Sequence, residues 1–419
     1  MSPTGRLATL ATAGAQALGE ARDEFAAGLR RCRTAAGFSL AALATAAHCH
    51  RAYLHRVETG HRWPSRPVAA HLDAALRARD KLLTAWARGE HEHREEAEHR
   101  RLLRASLRSS EQLDALLGSP AGQAADDALA HADALSRAYL TNPPAPMLRA
   151  ALSARDAIVE RLAGLHRTAP RRELSRAAGY LSGVLAYAAL DLGNPDAAAA
   201  HASTTYRVGT AIGDSALLAW TRGTQSLIAR FSQDYVAADD LARDGLAHAG
   251  GDTAGPRLLA GQAQSLANLG DRTGAHRALT AAEASRGLAG DDELGGLFAF
   301  SPAKLSYYAG LALIWLPEPD DARRALAAAT ETIALWEAGD PGDLPEDDHA
   351  LAHVYAATAA VQLAELDQAA AFLAPVLALP AKRRISWLRK RVRRIGDLLG
   401  GFTGARAESL RGDVAAFTA

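Results

Sequence analysis

The chain has 419 residues, 48% hydrophobic and 22% charged, which excludes a disordered polyelectrolyte and exceeds what one compact core ordinarily holds. Its 47 basic side chains balance 47 acidic ones, so bulk charge excludes a general polyanion binder and moves the question to local imbalance. Two cysteines, Cys32 and Cys49, exclude a multi-bridge secreted framework and fit a reducing, cytoplasmic compartment.

Residues 1–21 are Ala- and Thr-rich with isolated leucines, too weakly apolar for a signal peptide, and read as a flexible arm. No stretch approaches the roughly 18 uninterrupted apolar residues of a membrane span, so no membrane partner is expected. Residues 22–66 hold eight arginines against three acids, a local excess of +5. Phosphate affinity is therefore expected near the N-terminus.

From Asp23, Phe25, Leu29 and Cys32 recur at helical spacing until Gly37 stops the pattern. Ser39 then caps a second short helix with Leu40, Leu43 and Ala47 on one stripe. A third helix turns Tyr53, Leu54 and Val57 inward and ends at Gly60. Two short helices joined by a tight turn can lay the second in the major groove, whose base edges carry a unique donor code. Arg51, Ala52, His55 and Arg56 fall on the face that Tyr53, Leu54 and Val57 leave free, and Arg pairs bidentately with guanine. Arg62 and Arg66, beyond the helix, are placed to hold phosphates.

The run GFSLAALATAAHCHRAYLHRVETGHRWPS resembles the XRE-type (phage repressor and Cro-like) helix-turn-helix over about 65 residues. The match rests on Gly37, Ser39, Leu43, Ala44, Arg51, Tyr53, Leu54, Arg56, Val57, Glu58, Gly60, Pro64 and Ser65. The resemblance implies double-stranded DNA as partner, with Arg51, Ala52 and Arg56 in the base-reading slots and His55 beside them. Leu40 stands where the family often has a phosphate-bracing Gln, His48 in a turn slot usually filled by Gly, and His50 where Ser or Thr usually caps the third helix.

Residues 71–117 continue helically, marked by Leu72, Leu76, Leu83, Trp86, Leu102, Leu103 and Leu107, and the first part should complete a DNA-binding domain over 22–88. Residues 89–170 read as a helical linker, with TNPPAP at 141–146 as its flexible joint because Pro removes donors and restricts its predecessor. Neither histidine cluster reads as zinc. His91, His93 and His99 lack the HExxH spacing, and Cys32 with the HCH run at 48–50 reads as core cysteine packing. No metal and no cofactor are expected.

Residues 171–400 read as helical hairpins with turns near Gly193, Gln233, Gly270, Pro319 and Leu366, 37 to 49 residues apart. Small residues after each turn, at Ala198, Ala238, Ala275, Ala322 and Ala370, suit a second helix packed on the first. The array resembles degenerate tetratricopeptide repeats, whose usual period is about 34 residues. Five such pairs imply an α-solenoid with a concave groove, where Arg222, Gln225, Asn268, Lys304, Tyr307 and Tyr308 are the candidate ligand-binding residues. The run SPAKLSYYAGLALIW also reads as a packed helix with its tyrosine pair in the core. KRRISWLRKRVRR at 382–394, eight positive charges and no acid, reads as a solvated capping helix or a second nucleic-acid contact, and 401–419 as a tail.

The expected fold class is all-α, a helix-turn-helix bundle followed by a tetratricopeptide-like solenoid. Phosphate-loop, dinucleotide, nucleophile-elbow and zincin motifs are missing from the sequence, so no enzyme is expected. The order of parts resembles actinobacterial-type regulators with an XRE head and a repeat body. It implies a homodimeric transcriptional regulator whose repeats receive a peptide, small-molecule or protein signal. The alternative is an interaction scaffold whose head serves only dimerisation.

Overall fold

The computed structural model describes residues 24–47, 49–87, 89–90, 126–163, 169–339, 344–380 and 383–418. The expected arm at 1–21, His48 in the turn, and the run 91–117 with its three histidines lie outside the described residues. Every regular element among the described residues is helical, and the chain divides into two compact units, 1–104 and 105–419. No described helix is long and apolar enough to cross a membrane.

The first unit holds α1 (24–35), α2 (Leu40–Ala46), α3 (Arg51–Glu58), α4 (Arg66–Ala75) and α5, which begins at 81. Phe25, Leu29, Leu43, Leu54, Val57, Leu72, Leu82 and Trp86 form one core, with Cys32, Cys49 and Tyr53 packed on its edge. Gly37 and Gly60 take left-handed backbone after α1 and α3, a conformation that Cβ disfavours. Between α4 and α5 the buried Asp73 carboxylate accepts from the backbone amides of Asp80, Leu82 and Leu83, satisfying donors at the opening of α5.

In the second unit, α6 (Asp126–Thr141) and α7 (Pro144–Ala163) pack with α8 (Ala169–Asp191). The expected joint at 141–146 is thus a tight turn inside the unit. Pro144 opens α7, where a missing amide costs nothing because first-turn donors have no helical partner.

The array then runs through α8 with α9 (Pro195–Ile212), α10 (Ser215–Phe231) with α11 (Tyr235–Leu246), and α12 (Ala254–Asn268) with α13 (Arg272–Leu288). It continues with α14 (Pro302–Leu313) and α15 (Pro319–Glu337), then α16 (Glu346–Gln362) and α17 (Leu366–Leu377). Turns recur as the sequence predicts. Gly193, Gln233, Gly270 and Ala364 take positive φ, and Asn194, Asp234 and Asp271 cap the helices that follow three of those turns. Ala198, Ala238, Ala275 and Ala322 are buried at the helix contacts, but in the last pair the buried alanine is Ala369, one residue before the expected Ala370.

Beyond the array lie α18 (Ser386–Leu399) and α19 (Ala405–Thr418). The basic run is not a solvated cap. Ser386 donates to the Leu190 carbonyl at 3.1 Å, Lys390 to Phe231 at 2.9 Å, and Arg394 to Ile314 at 3.1 Å. Those carbonyls end α8, α10 and α14, so α18 lies across three helix C-termini, where carbonyls lack partners and the dipole favours cations. Arg391 is buried beside the Trp315 and Trp387 rings, 5.0 and 5.2 Å from their centroids, and Arg394 stacks 3.4 Å over Trp315. Arg389 and Arg393 stay exposed. The expected tail is also structured, since α19 packs on α17 and α18 through Ala407, Leu410, Val414 and Phe417.

Candidate functional site

α3 presents two chemically distinct faces. Leu54 and Val57 are buried, whereas Arg51, Ala52, His55 and Arg56 are all exposed and, at 3.6 residues per turn, share one side of the helix. Arg62 and Arg66 are exposed just beyond, in the connection to α4 and at its first residue. The six residues expected to meet DNA are therefore all solvent-facing within one short segment, 51–66.

α3 is held from behind by a carboxylate. Buried Glu58 accepts from Arg33 Nε at 3.1 Å and from its NH2 nitrogen at 2.7 Å, while Arg30 donates to the Glu58 carbonyl at 3.3 Å. This fork pins the end of α3 to α1, and Arg33 also donates to the Phe38 carbonyl at 2.9 Å before α2. At its start α3 is less secure, because the His50 side chain makes no capping hydrogen bond. Ser39 does cap α2, accepting from the Ala42 amide at 3.1 Å.

The second unit contains a small, open-mouthed cleft at the meeting of α6, α8, α14, α16 and α18. Lys304, Tyr307 and Tyr308 line it, and the tyrosine pair is also buried, so the core reading of that helix holds for those two side chains. Arg222, Gln225 and Asn268 are not brought to it. Arg222 pairs with Asp244 at 2.5 Å, donates to Gln225 at 2.9 Å and covers the Tyr206 ring, and Asn268 donates to the Gln264 carbonyl.

Sequence reasoning missed Tyr139, Tyr187, Asp191, Asp347, Asp348, Tyr355 and Trp387, which complete the cleft wall. Their local settings give no signal: Asp191 ends a helix before a turn, and Asp347 and Asp348 sit in an acidic first turn like many others. Tyr307 and Tyr355 hydroxyls meet at 3.1 Å, Tyr139 donates to Asp191, and Lys304 pairs with Asp348 at 2.5 Å.

Burial pushes the Asp191 carboxyl up to about 8, against the Tyr139 hydrogen bond and with help from Asp347 and Asp348. Burial likewise lifts Asp347 to about 7, partly offset by Arg383. Burial works against the Lys304 ammonium, but Asp348 and nearby tyrosines hold it above the ordinary amine range. The fold therefore favours a protonated Asp191. Its contribution to stability is fully present below the ordinary carboxylate value of 3.8 and is lost as pH rises through about 8. In thermal unfolding, the wild-type melting temperature should fall across that window, and Asp191→Asn, which still accepts from Tyr139, should flatten the fall. Equal slopes in the two proteins would refute this assignment.

No curated protein and no solved structure matches the chain. Over residues 24–86, the segment that carries α1 to α4 and the start of α5, the chain matches the family described as a helix-turn-helix domain.

Proposed function

We propose that the protein is a sequence-specific transcriptional regulator of the XRE type, in which α3 enters the major groove and reads base edges through Arg51, Ala52, Arg56 and His55. The observation that carries this reading is the shared exposure of these four side chains on the outer face of the second helix of a matched helix-turn-helix. A homodimer would set two copies of α3 one helical turn of DNA apart, about 34 Å. In the same proposal the tetratricopeptide-like array takes a small-molecule signal in the cleft of Tyr307, Tyr308, Lys304 and Asp191. Its small size and its wall of aliphatic, aromatic and charged side chains suit a compact ligand better than a peptide or a protein. The uncapped His50 favours a second reading, an interaction scaffold whose head only dimerises.

Arg62 and Arg66 separate the two readings. As phosphate contacts, each replaced by Ala should weaken DNA binding by a similar factor on every sequence and lower the slope of log affinity against log salt by about 1. Titrating labelled duplex with the full chain at several salt concentrations measures both. A slope unchanged in the Arg62→Ala, Arg66→Ala double variant would remove these residues from the interface.

A further inference from the structure

Among the described residues outside the helix-turn-helix and the cleft, one cluster of side chains has the composition of a metal site. Glu337 is the last residue of α15, and His349 and His353 stand one turn apart on α16. The three offer donor atoms that all lie within 4.8 Å of one another, with Glu337 Oε1 and His349 Nε2 at 3.3 Å. The two imidazole rings meet edge to face, 4.8 Å between centroids and inclined by 78°.

His353 supplies the second, independent observation. Its Nδ1 is buried and has no hydrogen-bond partner, which ordinarily costs a fold free energy. The ring also packs against Phe372 of α17, 6.2 Å between centroids. A metal ion is the kind of partner that an unpartnered buried imidazole nitrogen accepts, since a neutral imidazole binds metal through its free lone pair.

We infer that Glu337, His349 and His353 form a binding site for a borderline transition-metal dication of the Zn²⁺ class. Two imidazoles and one carboxylate are the donor set such ions take, and three protein ligands leave a fourth tetrahedral position to water or another ligand. Bonds of about 2.1 Å set donor atoms roughly 3.4 Å apart, so closing the set asks for a small side-chain rotation. Glu337, exposed at the helix end, can make it. The bound ion would join the end of α15 to the first turns of α16. It would sit behind the cleft wall, because Trp336 stacks between His349 at 6.5 Å and the cleft residue Tyr307 at 5.6 Å.

Metal-free full-length protein titrated with Co²⁺ tests this, with ligand-field bands in the visible as the readout and Zn²⁺ added afterwards as competitor. One equivalent should bind with tetrahedral bands that Zn²⁺ abolishes. His353→Gln and His349→Gln should each weaken binding by roughly tenfold or more, with circular dichroism and chelator-state melting unchanged. Glu337→Gln, at an exposed position, gives the same reading should a histidine variant fail to fold. The histidine-rich run is the competing source of sites, so a His91→Gln, His93→Gln, His99→Gln variant should keep the full signal. No bound cobalt, a signal lost in that triple variant, or affinities unchanged in the Glu337, His349 and His353 variants would each overturn the inference.

Discussion

Replacing Arg51 and Arg56 together with Ala should abolish discrimination among duplexes while leaving the protein folded. Each arginine is exposed on α3, with no packing role to lose, so the effect should fall on binding rather than on stability. A bidentate contact to guanine contributes about 1 to 3 kcal/mol of discrimination, so each single variant should weaken the preferred site roughly tenfold to a hundredfold and relax one base position. In the proposed docking, Ala52 beside them would set a different kind of contact, its methyl against a thymine methyl, and an enlarged side chain there should shift base preference. Fluorescence anisotropy against a set of single-base variants reads all three effects. Specificity retained in the double variant would mean that another surface reads the DNA.

The second large effect is expected at a residue that touches no DNA. Glu58 is 5% exposed and receives the Arg33 fork, so Glu58→Ala leaves a partly buried guanidinium without its carboxylate, holding only the Phe38 carbonyl, and loosens the end of α3 on α1. Removing one partner of a buried pair is costly, and with Arg33 22% exposed the loss should be roughly 2 to 4 kcal/mol. Hydrogen exchange in the full chain should show the α3 amides opening faster by the corresponding factor, with the helices of the second unit unaffected. Glu58→Gln keeps the shape and one acceptor and should lose less. α3 protection equal to wild type in the Ala variant would contradict this role. DNA affinity should fall with the same substitution, because a helix that frays at its C-terminal end no longer presents Arg56 at a fixed position.

The elements that were legible in the sequence are those whose signal is local. α1 to α3 could be read because Leu54 and Val57 alternate with Arg51, Ala52, His55 and Arg56 at helical period, and because Gly37, Ser39 and Gly60 carry capping chemistry. The hairpin turns at Gly193, Gln233 and Gly270 were legible for the same reason, as the residues after them cap the next helix.

Long-range partnership was not legible. Glu58 was recognised as a family position, but its burial against Arg33 depends on how α1 crosses α3. The basic run at 382–394 reads as solvated because nothing in its own composition discloses that the carbonyl ends of α8, α10 and α14 are its partners. Pro144 reads as a joint because the restrictions on Pro are averaged over a segment, whereas the first turn of a helix lifts them. The cleft shows the limit most clearly. Lys304, Tyr307 and Tyr308 share one helix and were singled out together, but Tyr139, Asp191 and Asp347 come from three other helices and converge only in the folded unit.

DNA recognition by α3 is the claim on which the rest of the functional account stands. Full-length protein incubated with sheared genomic DNA at physiological salt, recovered and sequenced, tests it most directly. The account predicts that recovered fragments share a short motif, and that enrichment disappears in the Arg51→Ala, Arg56→Ala variant. A recovered pool with no common motif, or one that the double variant enriches equally well, would contradict it.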